Sequence, residues 1–319
     1  TGHIGAHIVR SLLSEGYAVR AAYRNPRFLS VLEGLPVERV QVDLEGPDDL
    51  RRALEGCAWV FDAAGYYPRV PVRREQAVAR GIASVRRLMQ QLKEAQPSRV
   101  VLTSSAATIR QVPGRLSTEE DAESWPLQGW RPLYATVKIA MEHEALRWVR
   151  EGLPVVVVNT SVCVGEYDAH RFSGRAVLAF AKYRVPFYFD YRFNAVYTGD
   201  VGAGHVRAAQ RGRVGQRYVL ACRNISLKEF ADLVARIAGV PPPRWPLPRP
   251  VAVALASASE LVARVTRTEP LLPRQAVHTS RTGQQLDNAK AVRELGMPQT
   301  PIEEAIRRAV AWFRQHGMI

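Results

Sequence analysis

Cysteine and lysine are scarce in this chain of 319 residues, and long apolar runs are missing. The three cysteines, Cys57, Cys163 and Cys222, stand far apart without CxxC spacing. That argues against a disulfide framework and against a thiolate metal site, and it fits a reducing cytoplasm. No stretch reaches the roughly 18 apolar residues that a membrane-crossing helix needs. No basic-then-apolar leader opens the sequence, so neither a membrane partner nor export is expected. Lys93, Lys138, Lys182, Lys228 and Lys290 are the five lysines, so the net charge of +14 comes almost wholly from arginine. The arginines are spread along the whole length and form no block interleaved with aromatics, which argues against nucleic acid as a partner. The same field favours an anionic ligand such as a phosphorylated cofactor.

What is present is organised around Tyr134-Ala135-Thr136-Val137-Lys138. Residues four apart share one face of a helix, and a cation beside a phenol favours the phenolate, so such a pair can pass a proton. The pattern alone is common on helix surfaces. Its context is more specific: the apolar run Arg99 to Thr103 delivers Ser104 and Ser105 about thirty residues upstream. A strand tip bearing a hydroxyl, followed by a helix bearing Tyr and Lys, makes a catalytic constellation of Ser105, Tyr134 and Lys138, with Ser104 as the neighbouring alternative.

Other segments alternate strand and helix. Thr1-Gly2-His3-Ile4-Gly5 reads as the second half of a motif whose strand precedes Thr1, and it heads a helical pattern that stops at Gly16. Two glycines three apart either let a pyrophosphate approach the helix start or simply pack the helix. Tyr17 to Tyr23 reads as a strand ending in Arg24-Asn25-Pro26-Arg27. With no acid there for a ribose hydroxyl, Arg24 fits a 2′-phosphate, helped by Arg20 or Arg27; the alternative is a solvated basic turn. Val37 to Val42 is a strand ending at Asp43 and Leu44, and a short helix follows from Pro47 to Glu55. Trp59 to Gly65 is a strand ending in the small residues Ala63 and Ala64, and Ala77 to Glu94 is an amphipathic helix.

Beyond the serines, 110–131 is a polar loop, Leu133 to Glu151 a helix, and Val155 to Val158 a buried strand ending at Asn159, Thr160 and Ser161. The alternation then breaks. Tyr167 to Phe172 is loop-like, and Tyr183 to Val196, rich in aromatics and arginine, is either a substrate pocket or the core of a second domain. Thr198 opens a helix holding His205, which reads as a packed histidine. Ile225 to Gly239 is a helix with Ser226 as cap and Glu229 at the capping-box position. The proline-rich connector 241–250 reads as a stiff loop, and the tail as two short helices around Gly296 and Pro298.

In this order the motifs resemble those of the extended short-chain dehydrogenase/reductases, the group of nucleotide-sugar epimerases and dihydroflavonol-reductase-like enzymes. Gly2 and Gly5 match its GxxGxxG fingerprint, Asp43 its adenine-contacting acid, Ala63-Ala64 its small strand end, and Ser105, Tyr134 and Lys138 its catalytic set. Val196 to His205 and Asp287 to Ala291 resemble two further family segments. The resemblance implies a Rossmann-type, doubly wound parallel α/β sheet with a smaller mixed α/β substrate domain. Residues 1–165, with a returning segment 195–223, would bind the dinucleotide; 166–194 and 224–319 would bind substrate. Cofactor contacts are then expected from Gly2, His3, Ile4, Gly5, Arg24, Asp43, Leu44, Ala63, Ala64, Lys138 and Thr160, and substrate contacts from Tyr66, Ser104, Tyr167, Arg175 and Arg192. No metal is implied, and a homodimer is.

The departures shape the functional expectation. Ala106-Ala107 stand where dehydratases of the family carry an Asp-Glu pair, which disfavours dehydration. Phe193-Asn194-Ala195 occupy the stretch where epimerases hold a sugar diphosphate with arginine, leaving Arg192 only nearby. The sequence therefore leans toward an NADP-dependent ketone or aldehyde reductase. A sugar epimerase that retains NAD(P) is the first alternative, and a non-catalytic NADP-binding sensor the second.

Overall fold

Four successive valines, Val155 to Val158, are fully buried, as a strand covered on both faces requires. They form the centre of the sheet in the computed structural model, which describes residues 2–44, 50–68, 72–169, 174–266, 277 and 283–319. Helix α1 (His3–Ser14) leads into β1 (Arg20–Tyr23), and β2 (Glu38–Gln41) pairs with β1 in parallel. After α2 (Arg51–Leu54) come β3 (Trp59–Asp62), α3 (Arg74–Ala95), β4 (Arg99–Ser105), α4 (Leu133–Arg147) and β5 (Val155–Thr160). Strands β3, β4, β5 and β9 (Arg217–Leu220) run parallel in that order. Because side chains alternate along a strand, Val100 and Leu102 face α3 and α4, with Val137 and Met141. Val101 instead faces Val201 and Ala208 of α6 (Thr198–Arg211). Each fully buried valine contributes about 1.5–3 kcal/mol of apolar burial.

A second sheet of β6 (Val162–Val164), β8 (Arg192–Tyr197) and β10 (Arg223–Ser226) is mixed, with β8 central. Buried Asn194 ties it together, accepting from Ser161 Oγ at 2.9 Å and Cys222 N–H at 3.0 Å and donating to Asn224 Oδ1 at 3.0 Å. Around it pack α5 (Arg175–Ala181), α7 (Leu227–Ala238) and α9 (Ile302–Gln315), through Phe193, Phe230, Ile306 and Phe313. A ribbon of β7 (Phe187–Tyr188) and β11 (Trp245–Pro246) carries α8 (Arg249–Thr266).

Several expectations change in detail. Tyr17 to Val19 precede the first strand, and Arg24 and Asn25 lead into a short helical turn, Pro26–Leu32, which holds Arg27. Of the helix expected from Pro47, Arg51–Leu54 is helical, and 45–49 lie outside the described residues. Ile225 belongs to β10, and Ser226 caps α7 by accepting the Glu229 N–H at 3.1 Å. Tyr191 and Phe193 stack at 5.3 Å and Phe193 meets Phe230, so this part of the aromatic stretch is core. His205 is packed: its Nε2 lies 2.9 Å from Thr103 Oγ1 and its Nδ1 2.7 Å from the Val201 carbonyl.

Candidate active site

The carboxyl ends of β3 and β4 meet α4 at one place. Ser104 and Ser105 end β4 and point to opposite sides, as adjacent strand residues must. Ser105 is half-buried, and its Oγ accepts the Ala107 N–H at 3.2 Å. Ser104 is turned the other way. Its Oγ donates to Glu142 Oε2 at 2.5 Å, within a buried network in which Asn159 Nδ2 donates to the same oxygen at 2.8 Å and Arg217 Nε to Oε1 at 2.5 Å. The structure therefore corrects Ser104 from a substrate contact to a structural tie, and leaves Ser105 as the accessible hydroxyl.

On α4, Tyr134 is half-buried and Lys138, one turn on, is 9% exposed. A methyl group placed on Gly65 would stand 2.5 Å from Lys138 Nζ, so the ammonium sits directly against the turn after β3. Asp62, the last residue of β3, lies beneath that turn and accepts the Ala64 N–H at 3.0 Å. Burial pushes its carboxyl above the ordinary range, against the opposing pull of the Ala64 N–H and the Lys138 charge. Sequence reasoning missed Asp62, because a single acid inside an apolar strand has no periodic signature.

The residue after β3 that faces the site is Tyr67. Its ring lies 4.9 Å from that of Tyr134 at a 40° tilt, and it is 40% exposed. Burial, then the charge of Tyr134, pushes its phenol up to about 12, while Arg175 pulls the other way. Tyr67 thus stays a neutral donor with the Arg175 charge within electrostatic reach. Tyr66, the expected contact, is instead 9% exposed and packed in the core beneath Arg80, whose guanidinium lies 5.8 Å from its ring. Tyr167 is also corrected. Its ring carries the Arg10 guanidinium at 3.7 Å and meets His7 at 5.3 Å, so it packs behind α1. Arg192 opens β8 exposed, and among the described residues its hydrogen bonds are made by its backbone, including its carbonyl to Gln284 N–H at 2.9 Å. Residues 170–172 of the expected loop lie outside the described residues.

The cofactor residues are placed by the helix and strand ends. Gly2 precedes α1 with nothing within 4 Å of the position a side chain would take, and no side chain caps the helix. The free N–H groups of His3, Ile4 and Gly5 in that first turn suit a pyrophosphate. Gly5 lets α1 approach β3, its virtual Cβ 3.9 Å from Ala63 Cβ, and Ala64 follows, exposed. His3 is buried with both ring nitrogens unpartnered, and burial lowers its basicity. Arg24 and Asp43 are brought together because β1 and β2 are parallel: Val42 N–H donates to the Tyr23 carbonyl at 2.8 Å, and Gln41 Nε2 to the Arg24 carbonyl at 3.3 Å. Leu44 packs on the α3 side of the core, and Thr160 closes β5 with its hydroxyl 3.4 Å from the Ser104 carbonyl. Arg20 is no helper: its Nε holds Glu38 at 2.7 Å and its Nη1 the Glu55 carbonyl at 2.6 Å. An uncapped glycine turn, a small strand end and a lysine beside Gly65 fit a nicotinamide dinucleotide.

The parallel α/β sheet, with an uncapped glycine at the head of α1 and Lys138 against the turn after β3, is that of a nicotinamide-dependent enzyme of the short-chain dehydrogenase/reductase type. Residues 1–221 match the model of the NAD dependent epimerase/dehydratase family, and the chain belongs to that family. Among curated relatives, a Synechocystis sp. protein provisionally named dihydroflavonol 4-reductase is 33% identical over 100% of this chain and 94% of its own length. Sterol demethylase protein B of Methylococcus capsulatus is 31% identical over 100% of this chain and 98% of its own length. The crystal structure of PA4631, a nucleoside-diphosphate-sugar epimerase from Pseudomonas aeruginosa, superposes with a TM-score of 0.81 at 25% identity, covering 100% of this chain and 96% of that one.

Proposed function

We propose that the chain is an NADP-dependent reductase that converts a small-molecule ketone or aldehyde to the alcohol. The observation that carries this reading is the Lys138 ammonium set against Gly65, one helical turn from Tyr134 on α4. A bound nicotinamide supplies the hydride. Tyr134 gives its phenolic proton to the substrate oxygen, and Ser105 Oγ donates a hydrogen bond to that oxygen as negative charge develops. Solvent then returns the proton to Tyr134, which stands one helical turn from the Lys138 charge. Gly2 to Gly5 would hold the pyrophosphate, Asp43 and Leu44 the adenine side, and Arg24 the 2′-phosphate. On this reading 1–165 and 195–223 serve the cofactor, and 166–194 and 224–319 the substrate.

Two features support a reductase over an epimerase. The segment that follows β1, Arg24-Asn25-Pro26-Arg27, contains no acid, and Phe193 to Ala195 are buried core residues where a diphosphate would need cations. The whole-chain likeness to an epimerase structure keeps that rival worth testing. A dihydroflavonol, from the name of one relative, is the first substrate to try, and a sterol ketone, from the name of the other, the second. Purified protein is denatured to release any held nicotinamide, titrated with NADPH and NADH, and assayed with these carbonyls and with UDP-glucose. Empty protein that prefers NADPH and reduces a carbonyl is expected. Retained NAD(H) with sugar epimerisation overturns the reading.

A cytoplasmic location and a homodimer complete the proposal. Arg86 and Lys93 of α3 pair with Glu144 of α4 and with Glu151 in the turn after it, so a dimer formed beside them would be ionic and weakened by salt. Light scattering at low and high ionic strength checks this; a dimer indifferent to salt places the interface elsewhere.

A further inference from the structure

We propose that α8 and the β7–β11 ribbon form a docking face for an anionic lipid bilayer. This inference stands apart from which carbonyl compound the active site takes.

Helix α8 has an unusual division of sides. Its inner positions Ala252 and Ala256 are fully buried and pack on Phe189 and Leu247, the small side chains letting the helix lie close to the lobe. Its exposed positions include Val251, Ala254, Leu255, Ala258, Leu261 and Val262. That spacing of three, one, three, three and one falls on a single helical face, and the face is wholly apolar. Leu261 is 63% exposed and Val262 59%. A surface helix ordinarily turns charge outward, and this one turns its aliphatic side chains to solvent.

Further large apolar side chains are exposed on the ribbon that precedes the helix. Trp245 pairs with Phe187 across the ribbon, and both rings are exposed, with Tyr183 just before them. Trp245 N–H donates to the Pro186 carbonyl at 3.1 Å and Leu247 N–H to the Tyr188 carbonyl at 2.7 Å, so the ribbon leads directly into α8. Of the thirteen large apolar side chains exposed among the described residues, seven belong to 183–187, Trp245 and α8: Tyr183, Phe187, Trp245, Val251, Leu255, Leu261 and Val262. Contiguous apolar exposure of this kind marks an interaction surface.

Charge decides the occupant. Lys182 and Arg184 before β7, Arg244 before β11 and Arg249 at the start of α8 are exposed, against the exposed Asp190 and half-buried Glu260. A second copy would bring this basic rim against itself on a chain of net charge +14, whereas lipid phosphates complement it. Aliphatic residues, an exposed tryptophan and flanking arginines are the composition of an element lying in a membrane interface. At about 1.5 Å per residue α8 would lie along the surface for some ~27 Å. Among the described residues no helix is long and apolar enough to cross a membrane, and the expectation of no membrane partner rested on the lack of a crossing run and of a leader. Lying on a bilayer is a separate matter.

The test is flotation of the full chain with vesicles of equal parts phosphatidylcholine and phosphatidylglycerol, compared with phosphatidylcholine alone. The protein should float with the anionic vesicles, leave them at high salt, and stay behind with the neutral ones. Leu255→Glu with Leu261→Glu should lower partitioning at least about tenfold without moving the thermal melt, since both side chains are exposed. Arg244→Glu with Arg249→Glu should weaken binding to anionic vesicles while keeping the apolar face intact. Failure of the wild-type chain to float with anionic vesicles overturns the proposal, as does undiminished flotation of the leucine variant. A leucine variant that instead splits a wild-type dimer, with vesicle binding absent in both, assigns the face to a second copy and also overturns it.

Discussion

Gly65 and Lys138 share a space that admits one of them. A methyl at Gly65 would meet Nζ at 2.5 Å and Met141 Cε at 3.7 Å. Because Nζ ends a flexible side chain, it can move aside at small cost in stability, yet it leaves its place beside Tyr134. Gly65→Ala should therefore lower kcat by about ten- to a hundredfold while leaving the thermal midpoint nearly unchanged, which steady-state kinetics and a melt resolve together. Tyr134→Phe removes the proton itself. Turnover should fall about a hundredfold or more with NADPH binding intact by fluorescence titration; near-normal activity sinks the mechanism. The Tyr-Lys pair was legible in sequence because helix spacing is local, and the serine pair because strand alternation is local too. Tyr66 and Tyr67 lie on irregular chain, where no period says which ring faces Tyr134. Asp62 has no periodic signature either, and what gives it meaning is Lys138 of α4, which folding brings to the turn after β3.

Helix α4 illustrates what happens when an element carries function on a buried surface. From Ala135 to Met141 every residue is buried, so its polar side chains need partners. Arg74 Nη1 donates to Thr136 Oγ1 at 2.6 Å, Arg86 pairs with Glu144 at 2.9 Å, and Glu142 gathers Ser104, Thr108, Asn159 and Arg217. Removing one member of a buried ion pair strands the other, at about 3–5 kcal/mol. Glu142→Ala should cost that much by urea unfolding, and Ser104→Ala only about 1 kcal/mol. Equal small losses would show that the network is not held as drawn. At this scale the strands β3, β4 and β5 and helices α1, α3 and α4 were readable, since burial imposes their apolar pattern. Helix α8 went unread beyond the proline-rich connector, since its apolar positions occupy both the packed and the exposed side. β10 was absorbed into the helix that follows, since Ile225 is apolar in either setting.

For the whole molecule, acid is the stress the core is least suited to meet. Burial holds His205 down to about 4 and His7 down to about 3, and lowers His3 as well. A histidine whose basicity is lower in the folded chain than in the unfolded one binds its proton preferentially in the unfolded state. Stability from such a site is complete above the unfolded value of 6.5 and is lost as pH falls from there toward the folded value. For His205 the window runs from 6.5 to about 4, and each pH unit within it costs about 1.4 kcal/mol. Between pH 6.5 and pH 5 that one residue should remove about 2 kcal/mol. His205 is fully buried between Thr103 Oγ1 and the Val201 carbonyl, so no solvent screens the effect. His205→Gln keeps a polar side chain there and cannot charge. Urea unfolding at pH 7 and pH 5 should show the variant less stable than wild type at pH 7 but losing about 2 kcal/mol less on acidification. Equal acid losses in the two proteins would mean that the imidazole stays neutral at pH 5 in the unfolded chain as well, or is already charged within the fold, and either result removes His205 from the account of acid sensitivity.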